Sequence, residues 1–132
     1  LTGIARRDND PTALTAADDP LFGPLVAPKV RAGQTLLTRT LNAAYAITQF
    51  TLGIDVEVIA MDGHPLGVPP FHQYSRPFRV PAGTPFSLTT ARRWDLIIRP
   101  TVAGAIPVKI DFFNNITGRL LYTARTAITV TP

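Results

Sequence analysis

Both histidines of the chain lie in one short stretch, AMDGHPLGVPPFH, which covers residues 60–72. His64 and His72 carry imidazoles of the kind that bind zinc, and Asp62 offers the third protein ligand that a catalytic zinc site typically needs. The Asp-Gly and His-Pro pairs in this stretch, however, are typical of a turn, and a proline restricts the residue before it. The stretch therefore poses a choice between a metal site and a turn, and the turn is favoured.

Cysteine is absent from the whole chain. This excludes disulfides, iron–sulfur clusters, thiolate zinc sites and cysteine nucleophiles. A type 1 copper site is excluded as well, because it needs a cysteine thiolate beside two imidazoles.

The other residues that catalyse reactions are dispersed. The only serines are Ser75 and Ser87, and neither lies in a G-x-S-x-G nucleophile elbow. The acids of the strand region fall in separate segments: Asp55, Glu57, Asp62, Asp95 and Asp111. Glycoside chemistry needs two acids facing one cleft, and the sequence favours no such pair. No phosphate loop or dinucleotide fingerprint is present. We therefore predict no catalytic, cofactor-binding or metal-binding residue in this chain.

The charge of the chain is modest and scattered. Thirteen basic and nine acidic residues give a net charge of +4, and basic residues are adjacent only at Arg6–Arg7 and Arg92–Arg93. A nucleic-acid binder concentrates its basic residues in a stripe with aromatics between them. No apolar run approaches the roughly 18 residues of a membrane span. We expect neither nucleic acid nor a membrane as a partner.

The elements that would position these residues are short strands. The chain has 132 residues, about one domain, with thirteen prolines and nine glycines. From residue 30 onward, apolar runs rich in threonine, valine, isoleucine and aromatics are separated by Gly, Pro, Asn or Asp: QTLLTRTLN, AITQFTLG, DVEVIAMDG, RPFRVPAG, FSLTTARRWDLIIRP, IPVKIDFFNN, GRLLYTA and RTAITVTP. Seven or eight strands at this spacing predict an all-β sandwich or barrel.

Alternation within two runs predicts which side chains face the core. In VKIDFF the apolar positions are Val108, Ile110 and Phe112, and in DVEVIA they are Val56, Val58 and Ala60. Successive side chains of a strand point to opposite faces, so each set should share one face.

Residues 1–29 differ from the rest. They mix charges, prolines and small residues without a sustained period, and we interpret them as an N-terminal arm or interdomain linker. Their apolar residues are expected to pack on a surface: Leu21, Phe22, Leu25 and Val26. Residues 30–132 form the predicted domain. The sequence begins at Leu1 without methionine, which we read as a processed protein or an excised fragment.

Residues 30–130 resemble the second cupredoxin-like domain of three-domain multicopper oxidases. VRAGQTLLTRTLNAAYAITQFTLG resembles the opening of that domain, with its (L/I)-N-A element. VEVIAMDGHPL is similar to its V-I-A-x-D-G-x-P-L strand and turn. RRWDLIIRP resembles its G-x-R-Y-D-V-x-V strand, with Trp94 in place of tyrosine, and GRLLYTARTAITV resembles its last hairpin.

The resemblance implies a Greek-key β-sandwich or barrel of the cupredoxin type without copper. In such oxidases the first and third domains carry the copper ligands, and the middle domain holds those domains in register around a shared trinuclear cluster. His64 then occupies the variable position of the turn. The implied partners are the flanking cupredoxin domains, with a homodimer of the fragment as a further expectation, and the implied location is periplasmic or secreted. Copper would belong to the parent oxidase, and this fragment alone would not be catalytic.

Two alternatives remain open from the sequence. A free-standing β-sandwich module that binds carbohydrate or protein would expose flat aromatic rings, for which Phe71, Tyr74 and Phe78 are better placed than Trp94. An enzyme using acid–base carboxylates would bring two acids together in a cleft.

Two structural expectations complete the analysis. Residues 1–29 and the loop at 69–80 are the expected docking surfaces for flanking domains. Asp95 is expected to accept hydrogen bonds from backbone amides or from an arginine of a neighbouring strand, with Arg39 as the named candidate, because a charge between Trp94 and Leu96 would otherwise be costly.

Overall fold

The computed structural model describes residues 28–70 and 76–132. These residues form ten β-strands and no helix. Accordingly, the described part of the chain contains no helix that is long and apolar enough to cross a membrane. The strands are β1 (Lys29–Arg31), β2 (Leu36–Leu41), β3 (Ala46–Leu52), β4 (Val56–Met61), β5 (His64–Pro65), β6 (Phe78–Val80), β7 (Phe86–Leu88), β8 (Arg93–Ile98), β9 (Gly104–Asn114) and β10 (Leu120–Thr131).

The strands form two five-stranded sheets. The first sheet has the order β1-β10-β9-β3-β7, and the second has the order β2-β8-β4-β5, with β6 also paired to β4. Only the β1–β10 pair is parallel among the described pairings. The chain passes between the sheets at each step from β2 to β3 and from β3 to β4, as in Greek-key sandwiches. The predicted all-β sandwich is confirmed.

The core lies between the two sheets and is built by alternation along each strand. β3 buries alternate residues from Ala46 to Leu52, and the β8 residues Leu96 and Ile98 are fully buried. The predicted face of Val108, Ile110 and Phe112 packs on this core. The prediction for β9 is therefore confirmed.

Four aromatic rings cross the core near the β7 edge. Phe86 stacks on Phe50 with ring centroids 5.5 Å apart and on Trp94 with centroids 5.0 Å apart, while Phe78 meets Trp94 edge-on at 5.9 Å. Phe50 and Phe86 belong to the first sheet, whereas Trp94 and Phe78 belong to the second. This stack ties the two sheets together, and aromatic pairs of this geometry contribute roughly 0.5–1.5 kcal/mol beyond their buried area.

Two of the sequence runs divide differently in the structure. The run at 86–100 is two strands in different sheets, because residues 89–92 form a turn with Ala91 at a φ of 66°. The runs GRLLYTA and RTAITVTP are one strand, β10, because no Gly, Pro, Asn or Asp separates Ala124 from Arg125 and the alternation continues through both.

The face predicted for DVEVIA is correct at Val56 and Val58 and wrong at Ala60. The register between β4 and β8 shifts there: Val58 lies opposite Leu96, but Ala60 lies opposite Asp95. The extra residue at the bulge turns the later side chains to the other face. Met61 consequently packs on the core in place of Ala60.

The described part of the chain begins just before β1. Nearly all of the predicted arm at 1–29 lies outside the described residues. The division of the chain into this arm and a domain at 30–132 therefore stays a prediction.

Candidate docking site at one end of the sandwich

The strand directions bring the segments 42–45, 89–92 and 115–119 together at one end of the sandwich, with the Asp62–Gly63 turn beside them. Hydrogen bonds connect them: Asn42 N–H donates to the Arg92 carbonyl, and Asn115 Nδ2 donates to the Tyr45 carbonyl. The motifs that carry the family resemblance, LNA, MDGHPL and RRWDL, therefore meet in one place.

Asn42 is the buried centre of this end, with only 2% of its surface exposed. Its Nδ2 donates to the carbonyls of Ala46 and Leu88 at 2.7 and 2.9 Å, and its Oδ1 accepts from Ala44 N–H at 3.0 Å. Its carbonyl also accepts from Ala91 N–H at 2.8 Å. A carboxamide is needed here because the site requires donors and an acceptor on one uncharged side chain. Asparagine in the LNA element thus joins both sheets.

Asp62 fixes the turn to β8. Its Oδ1 accepts from Arg93 N–H at 2.9 Å, its Oδ2 is paired with the Arg92 guanidinium, and its carbonyl accepts from Arg93 Nη2 at 3.1 Å. The hydrogen bond from the Arg93 backbone lowers the pKa of Asp62 most strongly; partial burial opposes it, and Arg92 lowers the pKa further. Asp62 has a φ of 51°, a left-handed conformation that aspartate tolerates better than most residues. Aspartate followed by glycine is therefore required for both the turn and the contact.

Apolar side chains cover the outer side of this end. Ile47, Phe113 and Leu120 form one cross-strand row on the outer face of the first sheet, and Leu120 is 50% exposed. At the tip, Tyr45 and Ile116 are 92% and 94% exposed. We call these five residues the end patch. Three of the five are exposed and the other two are half-buried, and such a group of neighbouring apolar residues marks an interaction surface more often than single exposed residues do.

The hairpin that carries Ile116 is held by its own hydrogen bonds. Asn114 Oδ1 accepts from the N–H groups of Ile116 and Thr117, both at 2.9 Å, and the Asn114 N–H donates to the Arg119 carbonyl. Ile116 is consequently presented to solvent by a fixed turn. Sequence reasoning missed the end patch, although apolar residues inside the turn segments NAAYA and NNITG were a usable signal.

A buried carboxylate lies next to the end patch on the same outer face. Asp111 is 6% exposed, accepts from Thr123 Oγ1 at 2.6 Å and is paired with Lys109 Nζ at 2.7 Å. Burial alone would raise the pKa of Asp111, but the hydrogen bonds from Lys109 and Thr123, with the charges of Lys109 and Arg125, keep it below its ordinary value. The alternation placed Asp111 on the outer face correctly but did not reveal its burial.

A shallow groove of about 590 Å³ lies along β4 and β6, away from the end patch. It is lined by two acids, Asp55 and Glu57, and each is already paired with an arginine, Arg79 and Arg99 respectively. Asp55 Oδ1 also accepts from the Ala82 N–H at 2.8 Å. Two acids thus share a cleft, as the acid–base alternative requires, but each has a cation against it, which favours a structural role.

The structure separates the residues of the zinc hypothesis. His64 is exposed in β5, opposite Met61, and both Asp62 carboxylate oxygens are engaged by Arg92 and Arg93. His72 lies outside the described residues. Within residues 28–70 and 76–132, no three His, Cys, Asp or Glu side chains are grouped to hold a metal. The predicted absence of a metal site stays a prediction.

Asp95 lies directly opposite Arg39 in the β2–β8 register, and their side chains form an ion pair at 3.7 Å. The named partner is therefore correct. The Arg39 side chain is 76% exposed and the Asp95 side chain 27%, so this ion pair is of the surface kind and not a buried one. The role of a carboxylate that joins neighbouring segments through a backbone amide belongs to Asp62, which the sequence predicts as a turn residue or a metal ligand but not as this link.

The aromatic residues weighed for a sugar platform are arranged differently. Trp94 is half-buried in the core stack, and Phe78, 36% exposed, has its edge against Trp94. Phe71 and Tyr74 lie outside the described residues. Tyr45 is the most exposed aromatic ring described, and it belongs to the end patch.

Comparison with known proteins identifies the fold. No protein-family profile matches the sequence, and no curated protein matches it. Among solved structures, the chain is similar to CueO, a laccase-like multicopper oxidase from the lignin-degrading bacterium Ochrobactrum sp. with oxidase activity towards lignin model compounds and lignosulfonate. The TM-score is 0.53 at 16% sequence identity, over 80% of this chain and 21% of the oxidase. The chain thus has the cupredoxin-type fold and spans about a fifth of the length of that oxidase.

Proposed function

We propose that this chain is the copper-free middle domain of an exported bacterial multicopper oxidase. Its role is structural: it holds the copper-bearing first and third domains in register so that their shared copper cluster forms between them. Electron transfer to oxygen belongs to the whole enzyme. The domain itself contributes no catalytic, cofactor-binding or metal-binding residue.

The observation that carries the proposal is the extent of the structural likeness. The structural match covers most of this chain but only about a fifth of the oxidase, as expected of one domain in a larger enzyme. The sequence motifs add support, because their least replaceable residues, Asn42 and Asp62, close the same end of the sandwich. A match in sequence order alone would not require these motifs to meet.

The residue inventory supports a domain without copper. Type 1 copper requires a thiolate, and the chain has no cysteine; its single methionine, Met61, packs on the core. The nearest acid to His64 along the chain, Asp62, already has hydrogen-bond and ion-pair partners on both carboxylate oxygens. In the parent oxidase, flanking domains would hold the copper.

The end patch supports the structural role. Its exposed apolar side chains would be covered by a neighbouring domain, and the Asn114 turn and buried Asn42 fix the loops that carry them. Loops held by their own hydrogen bonds suit a permanent contact, because less loop ordering opposes association.

The direct test is the coding sequence on either side of this segment. We expect a His-x-His pair upstream, and both a His-x-His pair and a His-Cys-His segment downstream. Flanking sequence without these ligands would overturn the proposal. Calorimetric titration of the 132-residue chain with copper provides a second test, with no site tighter than micromolar expected. Stoichiometric tight binding that is lost in His64→Ala would assign a copper site to this domain and refute its copper-free role.

The end patch has its own test. The isolated chain should self-associate weakly through the uncovered patch, and Ile116→Ser should shift sedimentation towards the monomer. Val102→Ser is the matched control, because Val102 is 76% exposed in the β8–β9 connection at the opposite end of the sandwich. Equal effects of the two substitutions, or a monomer at all concentrations, would remove the end patch as a docking surface.

A free-standing binding module is the competing function, and Tyr45 is the observation that favours it. Within the described residues Tyr45 is the one ring that is largely exposed, which makes a weak platform because sugar recognition of this kind uses several rings on one face. Saturation-transfer measurements would show oligosaccharide binding that is lost in Tyr45→Ala if that function were correct, and no such binding is expected.

A further inference from the structure

A domain that holds two neighbours in register needs two docking surfaces, and the end patch supplies one of them. The end patch covers the tip of the sandwich and part of the outer face of the first sheet. The outer face of the second sheet points the opposite way, and its strand β2 carries an unusual residue pattern there.

β2 turns its leucines outward and its threonines inward. Leu36 packs on the core, and alternation then places Thr38 and Thr40 on the inner face. Leu37 and Leu41 lie on the outer face and are 45% and 57% exposed. An antiparallel sheet with water on its outer side normally alternates hydrophobic-in and polar-out. The reversed pattern therefore favours an outer face that is covered in the assembled protein.

The two outer faces of the sandwich differ in this respect. On the first sheet, the two cross-strand rows that follow the end patch are polar: Gln49, Asp111 and Thr123, then Thr51, Lys109 and Arg125. On the second sheet, Leu37 has Ile97 as its direct partner on β8. The outer face of the first sheet is thus polar beyond the end patch, whereas the second sheet presents apolar side chains along β2.

Arg39 lies between the two outward leucines on the same face of β2. Its side chain is 76% exposed, and its ion pair with Asp95 is long, at 3.7 Å through Nε. The pair between Arg99 and Glu57 measures 2.9 Å by comparison. Among the described residues, neither Nη group of Arg39 has an acceptor at hydrogen-bond distance. The guanidinium therefore has donors left for a second carboxylate.

The chain enters the domain at the edge of the sandwich to which β2 belongs. β1 and β2 are the outermost strands in the described order of their sheets, and residues 32–35 alone connect them. Pro28 directly precedes β1, and its carbonyl accepts from Thr129 N–H at 2.9 Å. The chain leaves the domain from β10, one strand further from this edge. The connection to a preceding domain is therefore the one next to the outward leucines.

We propose that Leu37, Arg39 and Leu41, with Ile97 beside them, form a docking stripe for the domain that precedes this one in the parent oxidase. The occupant presents apolar side chains to the leucines and a carboxylate to Arg39. Arginine is enriched at protein interfaces relative to the rest of the surface, and the centre of an interface is apolar. The identity of the occupant rests on the proposed role as a middle domain, whereas the docking stripe rests on the described residues.

The same substitutions in two contexts test the proposal. In the full-length oxidase, Arg39→Ala and Leu41→Ser should each loosen the preceding domain, so that proteolysis of the segment between the two domains becomes faster by about tenfold or more. In the 132-residue chain, both variants should leave the midpoint of urea unfolding nearly unchanged, because each side chain is more than half exposed.

Two matched controls separate docking from a general loss of surface residues. Arg125→Ala removes an exposed arginine from the outer face of the first sheet, and Val102→Ser removes an apolar side chain that is 76% exposed. Neither should change the proteolysis rate of the segment that precedes this domain.

Photo-crosslinking identifies the occupant without relying on a loss of contact. A benzophenone side chain in place of Leu41, in the full-length oxidase, should form cross-links to the preceding domain. The cross-linked segment should contain or adjoin an aspartate or glutamate, since a carboxylate is expected opposite Arg39.

Unchanged proteolysis in both Arg39→Ala and Leu41→Ser, or cross-links to the following domain, would overturn the proposal and leave the middle-domain role intact. A dimer of the 132-residue chain that is lost in both variants would assign the docking stripe to a second copy and would equally refute it. Failure of the oxidase role is recognised separately, because the copper ligands of the flanking sequence decide it and these variants do not.

Discussion

Replacing Asn42 tests whether one carboxamide holds the end of the sandwich together. Asn42→Ala removes two donated bonds to the carbonyls of Ala46 and Leu88 and one accepted bond from Ala44 N–H, all in a site that is 2% exposed. Each lost hydrogen bond costs about 1 kcal/mol, and buried groups left unpaired cost more. We expect a loss of roughly 2–4 kcal/mol, a large fraction of the 5–15 kcal/mol typical of a domain.

Asn42→Asp separates hydrogen bonding from side-chain size. The carboxylate can still accept from Ala44 N–H, but at neutral pH it cannot donate, and it sets a buried negative charge against the two carbonyl oxygens. The free energy of unfolding should therefore fall further than in Asn42→Ala, by roughly 1 kcal/mol or more. Acidification below pH 4 should narrow the difference, since protonation removes the charge.

Urea denaturation, monitored by the fluorescence emission of Trp94, measures these losses of stability, because Trp94 is the only tryptophan and lies in the core stack. Asn115→Ala is the control: this asparagine is exposed and makes one bond to the Tyr45 carbonyl at 3.2 Å, so its loss should cost under about 1 kcal/mol. A cost for Asn42→Ala no greater than for the control would refute the reasoning. So would an Asn42→Asp variant as stable as Asn42→Ala at pH 7.

Three further predictions concern other contacts. Gly53→Ala should destabilise by about 1–3 kcal/mol in urea, because a Cβ there would lie 2.5 Å from Pro107 Cδ; an unchanged midpoint would contradict this. The pKa of Asp62 is lowered in the fold, so its contribution is present above about pH 4 and disappears as the pH falls through the folded pKa. Asp62→Asn should therefore lower stability at pH 7 and match the wild type in strong acid, and a constant difference across pH would oppose the assignment. Asp95→Ala should cost under about 1 kcal/mol, since its ion pair with Arg39 is near the surface; a larger loss would show that Asp95 has a greater structural role.

The sequence predicts the sheet-forming runs because alternation is a local property, and it predicts the face of Val108, Ile110 and Phe112 correctly. It fails at Ala60, because the bulge depends on how β4 pairs with β8, which lie far apart in the chain. Local alternation does not mark the turn at residues 89–92, whereas the continuity of β10 through Arg125 is visible in the sequence, because no Gly, Pro, Asn or Asp interrupts the run there.

The candidate site shows the same division. The D-G turn is predictable from its residues, but the partner of Asp62 is not, because Arg93 is brought to it by the pairing of two strands. The burial of Asp111 is similarly non-local, since Thr123 reaches it from the adjacent strand. The end patch depends on the turns at 42–45 and 115–119 lying side by side, so neither turn alone predicts it from the sequence.

The parallel pairing of β1 with β10 has a mechanical consequence for a domain held at both ends. Tension applied through Pro28 and Pro132 would slide the two strands along each other. Pro28 precedes β1 at one end of the parallel pair and Pro132 follows β10 at the other end, so the two pulling forces act in opposite directions along the strands. The bonds from Thr129 N–H to the Pro28 carbonyl and from Ala32 N–H to the Thr131 carbonyl would then be loaded together and not one after another. In single-molecule pulling we expect these short strands to resist abruptly and yield in one step, and a gradual, low-force extension would show that the load is carried elsewhere.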